Sequence, residues 1–178
     1  YGVGASELVV GQLLKELLPR DEYVLTTKVS MPMGRAPNQG GLSRKHIMEG
    51  VDQSLKRLGH DYVDQLIIHR HPHGIPSQAQ TPIEETMEAL NDVVKAGKAL
   101  YLGASSMFAW QFAELQMTSE HTGWPQFISM PNHLNLLYRD EEPHMIPYCL
   151  KTGLAVTPCS PSALTSLRRS VPGRIEPV

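Results

Sequence analysis

The feature that most constrains this chain is a repeated alternation of helix-like and strand-like patterns along its whole length. Leu8, Val9, Leu13, Leu14 and Leu17 recur at helical spacing and stop before Pro19. Residues 23–27 then read as a buried strand. A loop rich in Gly and Pro over 31–41 leads to Ser43, a candidate N-cap for a helix striped by Ile47, Val51, Leu55 and Leu58. Gly59 stops that helix, and residues 63–68 form the next strand. Thr81 as cap, Pro82 at the first helical position and Glu84 at the third predict a capping box, with Ile83, Met87, Leu90 and Val94 on the apolar face. Strands over 100–102, 127–130 and 154–157 follow, separated by helices over about 109–121 and 140–150. A helix between each pair of strands requires parallel pairing with right-handed crossovers.

Composition narrows the class. At 178 residues the chain is long enough for one domain, 1–178, with a sizeable core, and its tail over 165–178 is expected to be irregular. The hydrophobic share of 41% and charged share of 19% are those of a soluble globular protein. A net charge of −2 without a basic run argues against nucleic acid or an anionic membrane as partner. No apolar stretch approaches the roughly 20 residues that span a bilayer, and no signal-peptide pattern is present. Cys149 and Cys159 form neither a metal-type cluster nor a disulfide framework. These features fit a cytoplasmic enzyme with a small-molecule substrate.

Chemistry concentrates at strand ends. Lys28 and His69 each follow an apolar, β-rich run, and a βα-barrel places its reactive groups at that end of its strands. Tyr1, directly before Gly2-Val-Gly-Ala-Ser-Glu7, adds a phenol to this set. Each residue also has a plainer reading: a solvated lysine, a satisfied polar histidine, a terminal residue without a role. The Gly2-x-Gly4-x-x-Glu7 spacing is not a dinucleotide fingerprint, because Glu7 stands at the third glycine's place. His69, His71 and His73 alternate in a loop containing Pro72, with no cysteine or carboxylate near in sequence, which disfavours zinc. Cys159 reads as a small packing residue. Ser105, Ser106 and Asn132 at strand ends suit either helix capping or hydrogen bonds to a ligand amide.

Taken together, these residues resemble the aldo-keto reductases, in the branch of aryl-alcohol dehydrogenase-like enzymes, fungal secondary-metabolite reductases and potassium-channel β-subunits. The matching segments include Tyr1 to Glu7, Thr27-Lys-Val29, Ser54-Leu-Lys-Arg-Leu58, Ile68-His-Arg70, Thr81 to Thr86, Gly103-Ala-Ser-Ser106, Asn132 to Arg139 and Ser160-Pro161. The resemblance implies an (α/β)8 barrel, of which this chain holds about strands three to seven. It implies NADP(H)-dependent reduction of an aldehyde or ketone to an alcohol, with Tyr1 as general acid, Lys28 as the tetrad lysine and His69 as the tetrad histidine. The tetrad aspartate lies five residues before that tyrosine in the family, and so falls outside the chain. Ser105 and Ser106 match the Ser-Asn pair that holds the nicotinamide carboxamide, and Asn132 and Ser160 complete the cofactor-binding set.

Two positions depart from the family. Pro131 stands where a glutamine contacts the carboxamide, and Cys159 stands where an aromatic stacks on the nicotinamide. A barrel of this type takes about 250 residues, so the chain is expected to be incomplete at both ends, with two open sheet edges and a weakened grip on NADP(H). The alternative to a reductase is a catalytically inactive, truncated relative or pseudoenzyme that acts as a binding or regulatory protein.

Overall fold

The computed structural model describes residues 2–73 and 81–161. Helices α1 (Ala5–Leu17), α2 (Arg44–Leu58), α3 (Ile83–Lys95), α4 (Ala109–Thr122) and α5 (Met145–Thr152) alternate with strands β1 (Thr26–Val29), β2 (Val63–Ile68), β3 (Ala99–Ala104), β4 (Phe127–Met130) and β5 (Ala155–Val156). The strands form one parallel sheet in the order β1-β2-β3-β4-β5. Because spatial order follows chain order and α1 packs on α2, α2 on α3 and α3 on α4, the helices form one layer on one face. That is the single winding of a partial (β/α)8 barrel; a doubly wound sheet would reverse its strand order midway.

The core lies between sheet and helices. Leu66 and Ile68 of β2, Leu102 of β3 and Met130 of β4 are buried there with Val51, Met87, Leu90 and Phe112 from the helices. Phe112 and Phe127 meet at 5.9 Å between ring centroids.

Local signals explain several boundaries. Ser43 caps α2 as its position suggested, its Oγ accepting the His46 N–H at 3.3 Å, and Gly59 ends the helix at φ 67°. The first strand starts later than residue 23, because the Asp64 carboxylate accepts the Leu25 N–H at 2.6 Å and Arg20 Nη2 at 2.7 Å. Leu25's donor is thereby spent on a side chain before the ladder begins at Thr26. Lys28 therefore lies within β1, opposite Ile67, and Val29 ends the strand.

Thr81 does not cap α3. Pro82, with ψ 142°, holds the N-cap position without a side-chain cap, so no capping box forms. The Thr81 carbonyl instead accepts His73 Nε2 at 3.1 Å. Helix α5 begins at Met145, not near 140, because residues 140–143 form turns. The apolar stripe of α1 largely faces outward, with Leu8, Val9, Leu13 and Leu17 exposed. The buried residue of α1 is Gly11, where a Cβ would lie 2.2 Å from the Leu58 carbonyl oxygen. No helix among the described residues is long and apolar enough to cross a membrane. Tyr1 and the tail over 165–178 lie outside the described residues.

Candidate active site

Register decides which side chains share a face. Lys28 pairs with Ile67, and His69 stands two residues beyond Ile67, so Lys28 and His69 project from the same face of the sheet. Their neighbours point the other way: Thr27 Oγ1 donates to Glu7 of α1 at 2.5 Å, and Val29 lies against Gly50 of α2. Lys28 and His69 together line a cavity of about 450 Å³, bounded by Gly4 and Glu7 of the α1 end and by Met31 and Met33.

His69 also borders a larger cavity of about 910 Å³, shared with Ser106, His133, Tyr138, Cys159 and Ser160. It thus stands where the two cavities meet. Burial, then the charges of Lys28 and Arg70, push the His69 pKa down to about 4. At neutral pH the imidazole is uncharged, so it is able to form hydrogen bonds but has no proton to give as an imidazolium acid. Its backbone is fixed by an N–H bond to the Val29 carbonyl at 2.9 Å.

The remaining candidates divide. Ser106 and Ser160 line the larger cavity, both in the left-handed region at φ 54° and 55°. Ser105 is buried, and its Oγ donates to the Pro131 carbonyl at 2.9 Å. Asn132 is 2% exposed and borders neither cavity, yet both polar atoms of its side-chain amide lack a partner among the described residues. Its carbonyl accepts the Cys159 N–H at 2.7 Å, which ties the end of β4 to the end of β5. Cys159 is exposed, on the wall of the larger cavity. Among the described residues no group of three His, Cys, Asp or Glu side chains is placed to hold a metal ion.

Two supporting groups escaped the sequence reading. Glu7 accepts hydrogen bonds from Thr27 and from Arg57 Nε at 2.6 Å, and Arg57 Nη2 reaches Ser54 Oγ at 3.1 Å. Burial raises the Glu7 pKa, but the hydrogen bonds from Thr27, Arg57 and Ser54 outweigh it and hold the carboxyl below its ordinary range. This network fastens α1 to β1 and α2 at the edge of the Lys28 cavity. Glu7 and Arg57 each fall in segments that match the family, but nothing local shows that they pair. Asn135 is the second group: its Oδ1 accepts the N–H groups of Leu137 and Tyr138, both at 2.9 Å, and its Nδ2 donates to the Ser160 carbonyl at 3.1 Å. Asn135 thereby ties the β4–α5 loop to the end of β5.

A one-sided parallel β/α wall with ionisable groups gathered at the carboxyl ends of its strands is the site layout of a barrel enzyme. Residues 1–174 match the aldo/keto reductase family, and the chain belongs to that family. It is 43% identical to a putative aryl-alcohol dehydrogenase of Schizosaccharomyces pombe, over all of this chain and 55% of that protein. It is 46% identical to the versiconal hemiacetal acetate reductase of Aspergillus parasiticus, over 95% of this chain and 52% of that protein. An aldo-keto reductase of Alternaria alternata is 40% identical over 98% of the chain and 52% of its own length. The chain spans about half the length of the curated relatives it matches.

Proposed function

We propose that this chain, as a single domain over 1–178, carries the carbonyl-reducing site of a cytoplasmic NADP(H)-dependent oxidoreductase. Its substrate would be an aldehyde or ketone of the kind handled in fungal secondary metabolism. The observation that carries the reading is the pairing of Lys28 and His69 on adjacent strands around one cavity, with His69 also bordering the cavity of Ser106 and Ser160. The relatives, a putative aryl-alcohol dehydrogenase and a hemiacetal acetate reductase among them, support a carbonyl substrate.

A reduced nicotinamide, when bound, supplies hydride to the carbonyl carbon. The neutral His69 imidazole orients the carbonyl by a hydrogen bond. The Tyr1 hydroxyl protonates its oxygen, and the Lys28 ammonium lowers the phenol's pKa so that the proton is available near neutrality. Ser105, Ser106, Asn132 and Ser160 are the residues that would hold the carboxamide end. The amide of Asn132, without a partner among the described residues, has the donor and acceptor groups to match a carboxamide, but it borders neither cavity, so of these residues Ser106 and Ser160 are the two that face the open site. Cys159 offers no ring to stack on the nicotinamide. That substitution and Pro131 favour a second reading, a non-catalytic binding or regulatory protein.

Calorimetric titration with NADPH separates the two. A nicotinamide site predicts that Cys159→Tyr tightens binding by about three- to tenfold, and that Ser106→Ala weakens it. Affinity indifferent to both substitutions would overturn the reductase reading in favour of the non-catalytic one.

A further inference from the structure

Glu7, in the first turn of α1, joins the two chain segments that carry the proposed acid and its lysine. One carboxylate oxygen accepts from Thr27 Oγ1 at 2.5 Å, and Thr27 immediately precedes Lys28 in β1. The other accepts from Arg57 Nε of α2 at 2.6 Å, and Arg57 Nη2 donates to Ser54 Oγ at 3.1 Å. Hydrogen bonds to an ionised carboxylate are among the stronger kinds, so this clamp spans three elements with little slack.

The turn that leads from residue 1 into α1 rests on the same clamp. Gly2, Val3 and Gly4 have positive φ values of 61°, 50° and 91°. A β-branched residue at φ 50° is strained and persists only where its surroundings fix it. Here the Ala5 N–H donates to the Gly2 carbonyl and the Glu7 N–H to the Gly4 carbonyl, both at 3.1 Å. Arg57 packs so close to Gly4 that a Cβ there would lie 2.6 Å from its Cδ and Nε. The turn, Glu7, Thr27, Arg57, Lys28 and His69 all line the one cavity of about 450 Å³.

We infer that Glu7, Arg57 and Thr27 are positioning residues that set the separation between the proton donor at residue 1 and the Lys28 ammonium. They act through Tyr1 and Lys28 and not on the substrate. The inference rests on the carbonyl-reducing reading and adds to it the part of the fold that governs the donor's acidity. The pull of an ammonium on a phenol falls with distance, so a loosened clamp lets the phenol return toward its ordinary pKa of about 10.

The test follows the Tyr1 phenol by 13C NMR titration of the whole chain labelled at tyrosine Cζ, with Tyr1→Phe to assign the resonance. In the unmodified chain the phenol should titrate below about 10. Thr27→Val, Arg57→Met and Gly4→Ala disturb the clamp from β1, α2 and the turn, and each should raise that value by about one unit, tenfold in the acid constant. Thr27→Ser keeps the hydroxyl and should leave the phenol depressed. So should Gly103→Ala, which strains the sheet away from the clamp. Gly4→Ala acts beside the chain's first residue, where local opening leaves the core folded, so it reports even if a core variant does not fold. A depressed phenol that the folded clamp variants leave unmoved, or that Thr27→Ser or Gly103→Ala raises equally, would overturn the inference alone. An ordinary phenol pKa in the unmodified chain would overturn it together with the pairing of Tyr1 and Lys28 in the carbonyl-reducing reading.

Discussion

Gln65 of β2 donates a 2.6 Å hydrogen bond to Ser129 of β4, reaching across β3 at Gly103. A Cβ on Gly103 would lie 2.9 Å from Ser129 Oγ, 2.9 Å from Ile67 Cγ1 and 3.1 Å from Gln65 Nε2. The missing side chain is what lets a polar bond cross this strand. Gly103→Ala should therefore destabilise the chain by about 1–3 kcal/mol through overpacking. Urea unfolding checks this, and a smaller loss is expected in a Ser129→Ala background because one clash partner is gone. A neutral Gly103→Ala would mean the strands give way easily here.

The Glu7–Arg57 pair, with side chains only 13% and 21% exposed, ties α1 to the sheet and to α2. Glu7→Gln removes the charge and should cost about 1.5–3 kcal/mol, the range for hydrogen bonds to charged groups. Glu49→Gln removes half of the exposed Lys45–Glu49 pair and should cost no more than about 0.5 kcal/mol. Denaturation midpoints of the two variants give the contrast directly; equal effects would show that the Glu7 network contributes little.

Acid should weaken the fold in a defined window. His69 and His71 have folded pKa values near 4 against an ordinary 6.5, so the unfolded chain takes up their protons first as pH falls. Stability is fully present above about 6.5 and declines as pH drops toward 4. Glu7 acts in the same direction at lower pH: its folded pKa lies below the ordinary 4.5, and its contribution is lost as pH falls from there. Melting temperatures between pH 8 and pH 4 should fall on acidification, and less steeply in His71→Gln. A profile flat across that window would show that neither imidazole is held neutral by the fold.

Much of this architecture was legible because its signals are local. Ser43 and Gly59 delimit α2 through bonds to their own helix, and the bounds of β2 follow from its apolar run. What was hidden depends on residues distant in sequence. The start of β1 is set by Asp64 from the next strand, and the outward face of α1 by the contact of Gly11 with Leu58. At the site, the placement of Lys28 and His69 toward one end of the sheet was readable as strand-end chemistry, whereas their shared face follows only from the register, and Lys28 proves to sit inside its strand. The hydroxyl of Ser105 was not readable, because its direction is set by the Pro131 carbonyl on a neighbouring strand.

The central claim is that His69 directly, and Lys28 through the Tyr1 phenol, serve one carbonyl oxygen beside a bound nicotinamide. It is tested most directly by aldehyde-dependent NADPH oxidation in the chain carrying Pro131→Gln and Cys159→Tyr, which restores an amide and a ring at the two departing positions. Aldehyde-dependent oxidation is expected there, and Lys28→Met or His69→Gln in the same background should lower it by about 10²-fold or more, the scale of a lost acid–base contribution. No aldehyde-dependent oxidation, or a rate indifferent to both substitutions, would contradict the account.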